Sequence, residues 1–167
     1  MDNPLEIMSA EQWDELLEEL ASDSLMATAL MDTEGSILRS HGRRSALCKL
    51  IRDSDEARMS VCSQTSQAML ELVRVSLTPV IEECEAGMLR LVIPVVRDGI
   101  LVFQVAACGR LAHDGEIETF LVSKLLDMEE ADVTDLSRSV TLVARRYLQE
   151  LGERFFLRLN EGSDPNI

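Results

Sequence analysis

A chain of 167 residues is about one domain long, on the usual prior of roughly 150 residues per domain, and it can bury a core without disulfide staples. Its hydrophobic share of 46% and mean hydropathy of +0.04 are those of a globular protein and exclude a disordered chain. Thirty acidic residues against sixteen basic ones give a net charge of −14, a field that repels phosphate backbones and anionic lipid. Nucleic acid and membrane surfaces are therefore not expected as partners. The acidic start, Met1 to Trp13, has no apolar h-region, and the longest apolar run, Leu91 to Val96, is too short to span a bilayer. The expectation is one soluble, cytoplasmic domain over residues 1–160 with a disordered tail over 161–167.

In chain order, Ser9 and Gln12 have the spacing of a capping box, and Trp13, Leu16, Leu17 and Leu20 fall on one face of the helix that follows. Leu25 to Met31 and Ser36 to Arg39, joined by Asp32-Thr33-Glu34-Gly35, read as a β-hairpin. A second helix is expected to open at Asp53, opposite Glu56, with Met59, Cys62, Thr65, Met69 and Leu72 on one stripe. A strand follows over Val80 to Cys84. Two longer strands, Met88 to Val96 and Ile100 to Cys108, are joined by Asp98-Gly99, the strongest short hairpin signal, because a type I′ turn needs positive φ at both central residues.

The rest reads as helix. Asp114 is a cap for residues Ile117 to Leu125, and Thr134 or Asp135 a cap for one long helix from Leu136 through Val140, Val143, Tyr147, Leu151 and Phe155 to Leu159. Leu148, Phe156 and Leu159 lie off its main stripe, a surplus that suits a homodimer interface. The order predicts an α+β domain built on an antiparallel sheet.

A regular hairpin about Asp98-Gly99 pairs Ile93 with Gln104 and puts Leu89, Leu91, Ile93, Val95, Val102, Gln104, Ala106 and Cys108 on one face. The other face is apolar too, so helices are expected on both: the terminal helices on one, the Cys62–Met69 helix on the other. Pro94 points to an edge or a bulge. Gln104, a mid-strand amide among apolar neighbours, is either a satisfied core residue or the polar anchor of an apolar pocket.

No nucleophile elbow, phosphate-binding loop, zinc-protease or dinucleotide motif occurs, and His41 and His113 fall in polar stretches, so an enzyme is not expected. Cys48, Cys62, Cys84 and Cys108 are widely spaced without a C-x-x-C pair, and buried, reduced thiols are the default. The alternative is a thiolate metal or redox site in which Cys48, Cys62 and Cys84 hold a soft metal such as zinc, with Cys108 or a small molecule as the fourth ligand. Glu82, Glu83 and Glu85 beside Cys84 work against a low thiol pKa. A third reading is an adaptor whose helices engage a partner.

Several of these pieces together resemble a family. Cys48, Cys62, Cys84-Glu85-Ala86-Gly87, the strand Leu91-Val92-Ile93-Pro94-Val95-Val96, the Gly99 turn and Gly109-Arg110-Leu111 are similar to the core of PocR-type sensory domains. So are Trp13…Leu20-Ala21 and Met31-Asp32-x-x-Gly35. The resemblance implies a PAS- or GAF-like antiparallel sheet with helices on both faces, sensing small organic molecules, usually simple hydrocarbon derivatives. It departs at Phe103 and at Ala107-Cys108-Gly109, where the family has a small residue and Gly-Gly-Gln. It implies a ligand site between the central sheet and the Cys48–Leu72 region, with Cys48, Cys62, Met69, Cys84, Leu91, Ile93 and Gln104 as candidate lining residues. No helix-turn-helix, kinase or cyclase segment is present, so a signalling partner is expected to act in trans.

Overall fold

A computed structural model of the chain describes residues 3–161. The elements run α1 Pro4–Ile7, α2 Ala10–Ser24, β1 Ala27–Met31, β2 Ile37–His41, α3 Ala46–Asp53, α4 Asp55–Ala57, a π-helical turn Arg58–Ser63, α5 Gln64–Ser76, β3 Val80–Glu83, β4 Leu89–Arg97, β5 Ile100–Ala112, α6 Thr119–Leu126, α7 Glu130–Ser137, β6 Leu142–Val143 and α8 Arg145–Asn160. Five antiparallel strands form a sheet in the order β2-β1-β5-β4-β3, and β6 pairs in parallel with the end of β5. This is the α+β architecture the sequence leads one to expect, with helices on both faces, and it fits a PAS-like arrangement. No helix among the described residues is long and apolar enough to cross a membrane. The tail expected over 161–167 lies, apart from Glu161, outside the described residues.

Local chemistry explains the first elements. Ser9 Oγ accepts from Gln12 N at 3.2 Å while Gln12 Oε1 accepts from Ser9 N at 2.9 Å, so both halves of the capping box form. Trp13, Leu16, Leu17 and Leu20 are then buried against the sheet. In the first hairpin, Asp32 Oδ1 accepts from the backbone of Glu34 and Ser36, both at 2.9 Å, and Gly35 takes φ +90°. The second hairpin turns at Asp98 (φ +52°) and Gly99 (φ +74°), with Arg97 opposite Ile100.

Past that turn the register departs from the regular one. Val96 pairs with Leu101 but Val95 pairs with Phe103, which leaves Val102 as an extra residue on β5. A single inserted residue reverses the facing of everything beyond it. Gln104 therefore pairs with Pro94 rather than Ile93, and the expected common face of Leu91, Ile93 and Gln104 does not exist. Leu91, Ile93 and Val95 share a face with Phe103, Val105 and Ala107, packed under α2 and α8. Val92, Gln104 and Ala106 share the opposite face with Ala29 and Met31 of β1, and Met69, Leu70 and Val73 of α5 cover part of it. Pro94 lies beyond the end of β3, where no strand needs its missing N–H. There Asn160 of α8 takes over the strand edge, donating to Pro94 O at 3.1 Å and accepting from Val96 N at 2.7 Å.

Three further expectations change. The second helix opens earlier, at Ser45, whose Oγ accepts from Cys48 N, and breaks at Ser54, which caps α4. The expected stripe then fails, because the π-helical turn adds a residue and rotates the face: Thr65 and Met69 are buried, whereas Met59 is 61% and Leu72 45% exposed. The long C-terminal helix is two helices. Ser137 and Ser139 donate to the Thr134 and Leu136 carbonyls, and Thr141 O accepts from Leu111 N, which diverts the chain into β6 before α8 begins. Leu148 and Leu159, the surplus behind the homodimer expectation, are buried in the core, and Phe156 packs against it. Gly152 marks the closest approach of α8 to the sheet, since a Cβ there would lie 2.9 Å from Leu91 Cδ1.

Candidate ligand-binding site

Between the β1/β5/β4 face and the layer formed by α3, the π-helical turn and the start of α5 lies a partly open cavity of about 290 Å³. Its position follows from the bulges. The extra residue Val102 turns Ala106 and Cys108 toward this face, where Cys108 stands opposite both Ala27 and Arg90, and a second extra residue, Gly109, follows it. Ser45 starts α3 so that Cys48 points at the sheet, and the thiol donates to Met88 Sδ at 3.5 Å. The π-helical turn brings Val61 and Cys62 over the same space.

Sulfur dominates the wall: Cys48, Cys62, Cys84, Cys108, Met31 and Met88 all line it. The four cysteines are free. Burial pushes the Cys48 thiol up to about 12, against the Ser45 side-chain hydrogen bond, and pushes Cys84 to about 11, against hydrogen bonds with the Met88 and Ala86 backbone. Cys62 is also raised by burial, opposed chiefly by Arg52. A thiol must lose its proton to bind metal or attack, and these three hold theirs at neutral pH. Among the described residues no group of three or more His, Cys, Asp or Glu is arranged to hold a metal ion.

The charged residues on the wall are Arg44, Arg52, Arg90 and the exposed Glu34. Arg44 Nη1 reaches Cys108 Sγ at 3.8 Å. Arg90 Nη2 donates to Ser66 Oγ at 3.3 Å and to Met31 Sδ at 3.4 Å, while its buried Nε finds no acceptor. An unpaired buried donor costs roughly 1–3 kcal/mol. No histidine lines the cavity, and its one carboxylate is Glu34, so no paired acid and base face each other across it. The arrangement suits retention of a small molecule in a soft, polarisable, mostly apolar chamber with cationic groups on its wall.

Of the candidate residues read from the sequence, Cys48, Cys62 and Cys84 converge here. Met69 packs one layer away, between α5 and the sheet. Leu91 and Ile93 face α2 and α8 on the far side of the sheet. Gln104 is fully buried on the near face but outside the cavity wall; its Nε2 donates to Asp32 O at 3.2 Å and its Oε1 is unpaired. The arginines are what sequence reasoning missed. Arg90, a lone charge between Leu89 and Leu91 in an apolar strand, was the one signal available for them.

A larger and more open depression, about 590 Å³, lies on the opposite face between β3, β4 and α8, lined by residues such as Pro79, Leu91 and Phe156, with Glu153 its one ionisable residue. Thr78 and Gln149 are its other polar lining residues, and it carries no basic group.

No curated protein and no solved structure matches the chain. A family model, described as the sensory domain found in PocR, matches residues 6–161. That span takes in both sheet faces, the cysteine-lined cavity and the terminal helices, and the chain belongs to the family of PocR sensory domains.

Proposed function

We propose that this domain senses a small organic molecule held in the cavity between the β1/β5/β4 face and the α3–α5 layer, and that it binds rather than transforms that molecule. One observation carries the reading: in a domain of a sensory family, one partly open cavity gathers six sulfurs and three guanidinium groups from seven separate elements and loops. A volume of about 290 Å³ is at the small end of the usual range for ligand pockets, which favours a ligand of a few carbons. Ligand occupancy would fix the α3–π–α5 layer against the sheet, and that layer is the surface a signalling partner in trans would read.

The test is a thermal-shift screen with C2–C6 alcohols, diols, ketones, amides and carboxylates, on the wild-type chain and on Ala106→Phe. Ala106 lies on the cavity floor, opposite Val92 and Ala29. A ligand at a hundred times its Kd stabilises by about 2.7 kcal/mol, roughly 5–10 °C for a domain of this size. At least one member should raise the wild-type Tm and leave a folded Ala106→Phe chain unmoved. Equal shifts in both proteins, or none in the wild type, would contradict the proposal.

A further inference from the structure

Resting on the reading of the cavity as a ligand site, we infer that its ligand is a small organic anion, a carboxylate on a short apolar body, whose charge is met by Arg90 with Arg52 and Arg44. The first ground is missing counter-charge. The chain carries thirty carboxylates against sixteen basic residues, so a basic side chain finds an acidic neighbour easily. Arg39, Arg58, Arg138, Arg145, Arg146, Arg154 and Arg158 do. Of those that do not, Lys49, Lys124, Arg43 and Arg74 are exposed to water, and Arg110 is bonded to the Thr141 hydroxyl and the Ser24 and Leu142 carbonyls. Arg44, Arg52 and Arg90 make no ion pair among the described residues, although they are half-buried and ring one cavity.

The second ground is the quality of their present partners. Arg90 Nη2 has a hydroxyl and a thioether, both weak acceptors for a guanidinium, and its Nε has none. Arg44 reaches a cysteine sulfur at 3.8 Å. Arg52 lines the same wall as the Cys62 thiol. A guanidinium is always charged and is matched best by the planar oxygens of a carboxylate, so these side chains are left short of what they bind most strongly. The exposed Glu34 is the one opposing carboxylate on the wall.

The third ground is the rest of the wall. Ile51, Val61, Ala29 and Ala106 join the sulfurs, which suits hydrocarbon rather than a second charged group. The cavity volume excludes a long chain or a nucleotide, and the overall charge of −14 repels large polyanions, so the anion must be small enough to enter alone.

The experiment titrates the full chain with butyrate and valerate against their uncharged counterparts butyramide and valeramide, with inorganic phosphate as an anion without an apolar body. Binding is read by calorimetry and thermal shift at low and high salt. Butyrate or valerate should bind and stabilise, butyramide, valeramide and phosphate should not, and Arg90→Gln should weaken binding at least tenfold. Arg52→Gln, on the rim helix α3, should weaken it less and serves as the second variant should Arg90→Gln fail to fold. Uncharged compounds binding as tightly as the acids, with Arg90→Gln and Arg52→Gln unchanged, would overturn the anion while leaving the cavity as a ligand site. Phosphate binding as well as butyrate would overturn the apolar body. Failure of every compound, charged or neutral, would remove the site and the anion together.

Discussion

Asp14 joins α2 to the edge strand β2. Arg39 donates to both its oxygens at 2.7 Å, and His41 Nε2 lies 2.9 Å from Oδ1. The Arg39 hydrogen bonds, and after them the one with His41, hold the Asp14 carboxyl far below the usual carboxylate range. A depressed folded-state pKa contributes stability above the unfolded value, near 3.9, that is lost as pH falls toward the folded one. Asp14→Asn should therefore lower the Tm at pH 7, with the gap to wild type closing below about pH 4; a gap that persists unchanged at low pH would exclude this account. The thiols behave oppositely. Their folded pKa values are raised, so above an unfolded value of about 8.5 the unfolded chain loses protons first and stability declines with rising pH. With Cys48 near 12 and Cys84 near 11, iodoacetamide at pH 8 should label both far more slowly than it labels the urea-unfolded chain, by peptide mass spectrometry. Fast labelling of either in the native state would contradict the burial argument.

Elements set that residue chemistry in place, and they divide into those written locally and those that are not. Ser9 and Gln12, Asp32 to Gly35, and Asp98-Gly99 are local chemistry, and each appears where the sequence puts it. The Val102 bulge is not local: Leu101, Val102 and Phe103 are all apolar, so an extra residue in either facing meets an apolar layer and leaves no mark on the pattern. The π-helical turn at Arg58–Ser63 is equally silent, because no residue type demands it, and it moved the apolar stripe off Met59 and Leu72. The cysteine convergence survived because Cys48 and Cys84 flank elements whose ends are marked, by Ser45 and by Gly87. Those two markers are testable. Ser45→Ala should cost about 1 kcal/mol through loss of the α3 cap. Gly87 holds φ +96°, and a Cβ there would overlap the Glu116 carbonyl. Gly87→Ala should cost roughly 1–3 kcal/mol from backbone strain alone, and more from the displaced loop before α6, by urea unfolding. A neutral Gly87→Ala would show that this loop is free to move.

At the scale of the molecule, the sheet separates a closed core from an open cavity. One face is closed by α2 and α8 over a large continuous core containing Trp13, Leu91, Ile93 and Phe155. The other is only partly covered by α5, and the space left beside it is the sulfur- and arginine-lined cavity. That asymmetry yields a direct reading, because methionines sit on both sides: Met31 and Met88 line the cavity, whereas Met26 is buried in the opposite core and Met59 is exposed. The measurement is carbon-13 methyl NMR of methionine-labelled protein, titrated with the tightest-binding compound of the alcohol-to-carboxylate screen. The account predicts that the Met31 and Met88 methyl signals shift in saturable fashion while those of Met26 and Met59 stay in place. Shifts at Met26, or a uniform drift of all four, would place the ligand elsewhere and contradict it.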